Sequence, residues 1–285
     1  MKALRTFLEE IKIEHTLFAL PFAYAGALLG ARGVPSFHAL AWITIAVLGA
    51  RTAAMAANRL LDASIDRKNP RTAKRAVASG SLAPSVMIVA IVAGLALLCV
   101  AAYELNPLCF ALLPIGAVGV VVYPLVKRWT WAVHFVLGAV DALAPLGAWI
   151  AVTGRFETGA WLLFAAVTVW VAGFDILYAL MDRDFDVVEG VKSIPARFGS
   201  GAGRFVPQLL HGLLVVALVL LGVSERVGPA YWLGVAAAVA LVGYELSLIR
   251  RQRDVFALNA AVFNANMAFS VVFLLTTAAS LAAGV

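Results

Sequence analysis

The stretch Asn58-Arg59-Leu60-Leu61-Asp62-Ala63-Ser64-Ile65-Asp66 closes a long apolar run. Its polar residues recur every four positions. On a helix, residues four apart lie on one face, so Asn58, Asp62 and Asp66 form one oxygen-rich stripe. Arg51, seven residues before Asn58, extends that stripe into the apolar run. A second stretch answers it far down the chain: Tyr178-Ala179-Leu180-Met181-Asp182-Arg183-Asp184-Phe185-Asp186, with Asp175 three residues upstream of Tyr178. Ionisable groups in apolar segments are expensive and point to function. Two such stripes, one in each half, predict a membrane scaffold that holds them face to face.

The rest of the composition supports a membrane protein. The chain has 285 residues, 63% hydrophobic and 13% charged, with a mean hydropathy of +0.94. A soluble domain is only about half apolar and about one quarter charged. The apolar runs do not alternate as a membrane barrel requires, so the fold class is all-α integral membrane. Cys99 and Cys109 lie in apolar runs and read as packing residues. The four histidines show no ligand spacing. Residues 1–12 read as a short surface helix, with no cleavable signal.

Apolar spans of membrane-crossing length are predicted at 13–31, 37–62, 84–103, 107–126, 131–153, 159–182, 206–223, 229–249 and 257–282. The N-terminal segment and alternate connections hold seventeen Lys and Arg residues, against Arg32, Arg155 and Arg226 in the other connections. By the positive-inside rule the N-terminus is cytoplasmic, the C-terminus is outside, and nine transmembrane helices is the consistent count. The net charge of +6 then records topology, and no nucleic-acid partner is expected. Both acid stripes, on the second and sixth spans, end at the cytoplasmic face of a multi-pass protein of the inner membrane. Each is followed by cations and a glycine, a loose repeat within a single domain covering 1–285.

Hard oxygens suit Mg²⁺, which shares its coordination with phosphate. Arg71, Lys74, Arg75, Lys127, Arg128 and Lys192 are spaced to grip an anion such as a diphosphate. Acids, cations and an apolar bundle together predict a ligand with a polyanionic head and a greasy tail, which an isoprenyl diphosphate satisfies. Metal and cations would stabilise the leaving diphosphate, and a dry cavity would protect the allylic cation.

Asn58-x3-Asp62-x3-Asp66, followed by Asn69-Pro70-Arg71-Thr72-Ala73-Lys74-Arg75 and Ser79-Gly80, resembles the first signature of the UbiA superfamily of membrane prenyltransferases. Tyr178-x3-Asp182-x3-Asp186 with Gly190-x-Lys192-Ser193 resembles the second, and Tyr123-Pro124-x2-Lys127-Arg128 the segment ending the fourth helix. Arg75-Ala76-Val77 departs from the usual Arg-Pro-Leu. The resemblance implies a helical bundle around a central cavity with a cytoplasmic cap. It implies Mg²⁺ held by Asn58, Asp62 and Asp66 and by Asp182 and Asp186. Arg71, Lys127, Arg128 and Lys192 would clamp the diphosphate. Tyr178 and Tyr123 would face phosphate or cation, and Asp175 would support the second cluster.

Residues 12–24 and 51–58 resemble the bacterial 4-hydroxybenzoate polyprenyltransferase-like branch, which includes enzymes acting on a dihydroxynaphthoate-type acid in menaquinone formation. The expected acceptor is thus an aromatic carboxylic acid in quinone biosynthesis, with Arg51 its carboxylate partner. Asp141, in the fifth span, would orient the acceptor or take its proton. Glu14 and His15 are expected at the membrane surface. Competing readings are a family member with a haem, chlorophyllide or glycerol phosphate ether acceptor, a secondary transporter, and a structural scaffold. Acids at one end of their helices, beside anion-binding cations, argue against a transporter with midplane acids.

Overall fold

The computed structural model describes residues 2–11 and 13–283. Lys12 and the side chains of Glu14 and His15 lie outside the described residues. The chain is all-helical: α1 Lys2–Glu10, α2 Ile13–Ala31, α3 Phe37–Lys68, α4 Pro84–Leu105, α5 Pro107–Val126, α6 Val133–Thr153, α7 Thr158–Ala179, a 3₁₀ turn Leu180–Asp182, α8 Arg183–Glu189, α9 Ile194–Ser224, α10 Pro229–Arg251 and α11 Val255–Ala282. Eight stretches are long and apolar enough to cross a membrane, with α7 and α8 counted together as Thr158–Glu189. In α2 the described apolar part is Ala19–Ala31.

Local chemistry sets the helix ends. Ser36 caps α3, its hydroxyl accepting from Ala39 N–H at 3.2 Å. Asn106 caps α5 through Cys109 N–H at 2.9 Å, and Pro107 follows at the first turn, where its missing N–H costs nothing. Ser193 and Pro195 start α9 in the same way. That start lies well ahead of the predicted boundary at 206, because a capped amphipathic arm precedes the apolar span. Gly199, at φ 86°, joins the two arms.

Lipid tails are as apolar as leucine, so helices in a bilayer associate through close packing and interhelical hydrogen bonds. Both occur here. Gly49 of α3 and Gly94 of α4 face each other so closely that a Cβ on either would lie 2.6 Å from the other's carbonyl oxygen. Neighbouring helices α3–α4, α6–α7, α7–α9 and α10–α11 pack in succession, and α2 returns against α6 and α11. Phe22 of α2 anchors that return, 4.6 Å from Trp170 and 5.2 Å from Phe273 between ring centroids.

A buried polar network ties α7, α9, α10 and α11. His211 Nδ1 meets Glu245 Oε2, and His211 Nε2 donates to the Trp170 carbonyl at 3.1 Å. Asn266 donates to Glu245 Oε1 at 2.7 Å and accepts from Trp170 Nε1 at 2.5 Å. Such bonds stabilise helix association by ~1 kcal/mol each.

One expectation is corrected. The second acid stretch is not a single stripe on one helix. After Ala179 the backbone tightens into the 3₁₀ turn, the Leu180 N–H bonding back to Leu177 and Tyr178 carbonyls. Asn259 of α11 donates to the Leu177 carbonyl at 3.0 Å and holds the break. Three residues per turn replace 3.6 there, so Asp182 and Asp186 are re-aimed relative to Asp175 and Tyr178.

Candidate active site

The last turns of α3 carry the first acid stripe inward. Asp62 is 1% exposed and Asp66 6%. Asp62 Oδ2 accepts from Asn58 Nδ2 at 3.1 Å and from Lys127 Nζ. Its Oδ1 is buried with no hydrogen-bond partner. An orphaned buried carboxylate oxygen costs about 1–3 kcal/mol or more, so a built site aims it at something. Asp66 receives Arg75 Nη1 on both oxygens at 2.8 Å.

Beyond α3 the chain turns sharply. The Asn69 side-chain oxygen accepts from Arg71 N–H at 3.0 Å, an Asx turn that directs Arg71 across the site. There Arg71 meets the second acid stretch. Its Nε donates to Asp182 Oδ1 at 2.8 Å and its Nη2 to Oδ2, a bidentate fork. Asn69 Nδ2 donates to the same Oδ1 at 2.8 Å. Arg71 Nη1 also donates to Tyr178 Oη at 3.1 Å, with the guanidinium 5.2 Å from the tyrosine ring centre. Burial works against this guanidinium's charge, but the hydrogen bonds and charges of Asp182 and Tyr178 outweigh it and raise its pKa further.

Cations also enter from the turn after α5. Lys127 bridges to Asp62, and its charge also reaches Asp186. Arg128 Nη2 donates to the Leu61 carbonyl at 2.6 Å. Lys192 is pinned beside them, its N–H on the Lys127 carbonyl at 2.8 Å and its Nζ on the Trp129 carbonyl at 2.9 Å. Asp186 accepts from Ser193 Oγ at 3.1 Å and borders a cavity of about 580 Å³ lined also by Trp129, Trp131, Lys192 and Arg197. Deeper along α3, Arg51 Nη1 pairs with Asp141 Oδ1 at 2.9 Å, each side chain under 20% exposed. Tyr123 lies among Arg51, Asp141, Asp62 and Arg59, whose charges reach it. Asp175 is bonded to His134 at 2.7 Å.

The structure thus links Asn58, Asp62 and Lys127 in one cluster and Arg71, Asp182 and Tyr178 in another, while Arg51 pairs with Asp141 and Asp175 with His134. It also shows partners that spacing did not reveal. Arg59, 5% exposed, donates to Asn58 Oδ1 at 3.0 Å and to the Glu10 carbonyl at 3.1 Å. Glu10 in turn accepts from Ala76 N–H at 2.6 Å, so α1 fastens the loop that carries Arg71 and Arg75. The adjacency of Arg59 to Asn58 was the available signal. Asn69 and Ser193 stood inside the quoted motifs, but their partners Asp182 and Asp186 did not show in the spacing, and His134 gave no signal because it acts across helices.

Among the described residues no three acids, histidines or cysteines are gathered as a ready metal cage; cations stand between the acids. The donor set nevertheless fits a hard divalent ion. It offers carboxylates and an amide, with one carboxylate oxygen unclaimed.

The sequence profile of the UbiA prenyltransferase family matches residues 19–270. A 4-hydroxybenzoate octaprenyltransferase from Marinobacter nauticus is 36% identical over 261 residues, 91% of this chain and 88% of that one. The structure of a UbiA homologue from Aeropyrum pernix K1, solved without ligand, is 34% identical with a TM-score of 0.81, over 91% of this chain and 98% of that one. A UbiA homologue from Archaeoglobus fulgidus, solved with GPP and Mg²⁺, is only 15% identical but shares the fold, with a TM-score of 0.70 over 95% and 99% of the two chains. The chain is a multi-pass membrane protein, and it belongs to the UbiA prenyltransferase family.

Proposed function

We propose that this protein transfers a polyprenyl group from an isoprenyl diphosphate to an aromatic carboxylic acid, as a step of quinone biosynthesis. The observation that carries the reading is the cross-link of Arg71 and Asn69 to Asp182 and Tyr178. It joins the two acid stretches, 120 positions apart between Asp62 and Asp182, into one anion-handling site. The name of the Marinobacter nauticus relative supports an aromatic acid acceptor.

Asn58, Asp62, Asp66, Asp182 and Asp186 are the candidate holders of Mg²⁺, which when bound neutralises charge on the leaving diphosphate. Arg71, Lys127, Arg128 and Lys192 supply donors to its oxygens. Lys127 and Lys192 each keep further ammonium protons beyond the one bonded in the structure. Tyr178, turned toward Arg71, faces the end where the C1–O bond breaks and the electron pair leaves with the diphosphate. Arg51, held by Asp141 and with its own Nε buried and unpartnered, is placed to exchange that partner for the acceptor's carboxylate.

We further read α2 as a ninth span, the N-terminus and the acid motifs as cytoplasmic, the membrane as the inner one, and the single domain as two loosely repeated halves. The distribution of Lys and Arg supports this orientation. The test is a membrane assay with radiolabelled isoprenyl diphosphate, Mg²⁺ and two parallel acceptors, 4-hydroxybenzoate and a dihydroxynaphthoate. Product from either acceptor, lost in Asp62→Ala and Asp182→Ala, supports the proposal and names the acceptor. Diphosphate binding without product from either aromatic acid moves the acceptor to another class.

A further inference from the structure

Prenylation of an aromatic ring ends with loss of a ring proton, and most of the carboxylates assigned above are already held by cations. Asp62, Asp66 and Asp182 are ion-paired to Lys127, Arg75 and Arg71, and Asp141 is ion-paired to Arg51. Asp186 sits with Asp182 at the diphosphate end. Asp175 differs, because its partner is an imidazole.

The imidazole's protonation follows from its neighbours. His134 is 2% exposed. The backbone N–H of Ile194, at the start of α9, donates to His134 Nε2 at 3.2 Å. An amide N–H only donates, so Nε2 carries its lone pair and the ring proton sits on Nδ1. Nδ1–H then donates to Asp175 Oδ2 at 2.7 Å. His134 is thereby held as a neutral donor that fixes the carboxylate's orientation without adding positive charge.

Position adds the second argument. Asp175 and Tyr178 are three residues apart on α7 and share a face. Asp175 is therefore about one turn, ~5 Å, deeper than the diphosphate end. It also lies near enough to Asp141, the partner of Arg51, for their charges to interact. Its side chain is 25% exposed inside a bundle, so the carboxylate opens onto space rather than packing closed.

We propose that Asp175 is the base that removes the ring proton, and that His134 is the positioning residue that holds it ready; the inference rests on the prenyl-transfer reading. The ring carbon beside the hydroxyl forms a bond to C1 of the prenyl cation. The C–H bond at that carbon then breaks, its proton goes to Asp175, and its electron pair restores the aromatic ring. Asp175 gives the proton to water when the products leave.

The test measures turnover of 4-hydroxybenzoate and its ring-deuterated form with geranyl diphosphate and Mg²⁺. Wild type, Asp175→Asn, His134→Leu and His134→Gln are compared in membranes. Wild-type turnover is read first, with the dihydroxynaphthoate in parallel, and no product from either acid overturns the aromatic-acceptor reading together with this inference. With wild type active, Asp175→Asn is expected to slow kcat by roughly 100-fold or more while geranyl diphosphate still binds. A primary isotope effect should then emerge that wild type lacks. His134→Leu should lower kcat with little change in KM and show part of the isotope effect, in a protein whose site acids are untouched. His134→Gln, which keeps one donor and one acceptor, should recover most of the rate. Asp175→Asn turning over without any isotope effect, or losing only diphosphate affinity, would overturn the assignment. So would His134→Leu behaving as wild type.

Discussion

Replacing Arg71 by alanine removes the fork on Asp182 and the bond to Tyr178 together. The side chains of Arg71 and Asp182 are 24% and 15% exposed, so solvent screens the pair only in part. A hydrogen bond to a charged group contributes about 1.5–3 kcal/mol, and this fork makes two. On the proposed reading the same donors turn to the diphosphate during turnover, and part of the gain is offset by the release of Asp182. A net loss of about 2–4 kcal/mol is expected, equivalent to roughly a 30- to 1,000-fold drop in kcat/KM for the isoprenyl diphosphate. Arg71→Lys keeps charge but not the fork, and should fall between wild type and alanine. The assay is initial-rate prenyl transfer in membranes at varied diphosphate, with Asp182→Asn and the double variant completing a cycle. The two substitutions act on one pair, so their effects should not add, with an interaction term above ~1 kcal/mol. An Arg71→Ala enzyme within threefold of wild type, or strict additivity with Asp182→Asn, would refute the reasoning.

Other outcomes follow from the same geometry. Arg51→Met should raise the acceptor KM by roughly 10- to 100-fold, the value of one charged hydrogen bond, and leave the diphosphate KM unchanged in the same assay. Glu10→Ala frees the Ala76 N–H and removes the ion pair to Arg59, leaving the Arg59 bond to the residue 10 carbonyl in place; the loop 69–82 should become a preferred site of limited proteolysis, with activity reduced. Gly94→Val places a side chain 2.6 Å from the Gly49 carbonyl and 2.8 Å from Ala53 N, backbone atoms that cannot swing aside. Destabilisation of about 1–3 kcal/mol or more should appear as a lower Tm in detergent. Gly116→Val, at a position with nothing within 4 Å of the added Cβ, serves as the matched control.

Much of the architecture was legible because it rests on local rules. Run length marked the spans, Asn106-Pro107 and Gly228-Pro229 marked breaks, and four-residue spacing placed Asn58, Asp62 and Asp66 on one face of α3. The second acid stretch was found but its shape was not. The 3₁₀ break at Leu180–Asp182 is held from outside by Asn259, which lies over 70 positions away. Pairing was illegible for the same reason. Nothing in the spacing of Lys127, Arg75 and Arg71 says which acid each meets, since that depends on how α3, α5 and α7 are brought together. His134 looked like a scattered histidine until α9 set a backbone amide against it. His211 and Glu245 formed no motif either, because their network spans four helices.

The central claim is that the two acid stretches act as one Mg²⁺-dependent diphosphate site. The most direct measurement is binding of geranyl diphosphate to the purified protein across a Mg²⁺ titration, for wild type, Asp62→Ala, Asp182→Ala and the double variant. Mg²⁺-dependent binding that either single substitution abolishes as fully as both together is the predicted result. Binding that ignores Mg²⁺, or that survives either substitution with independent effects, would contradict it.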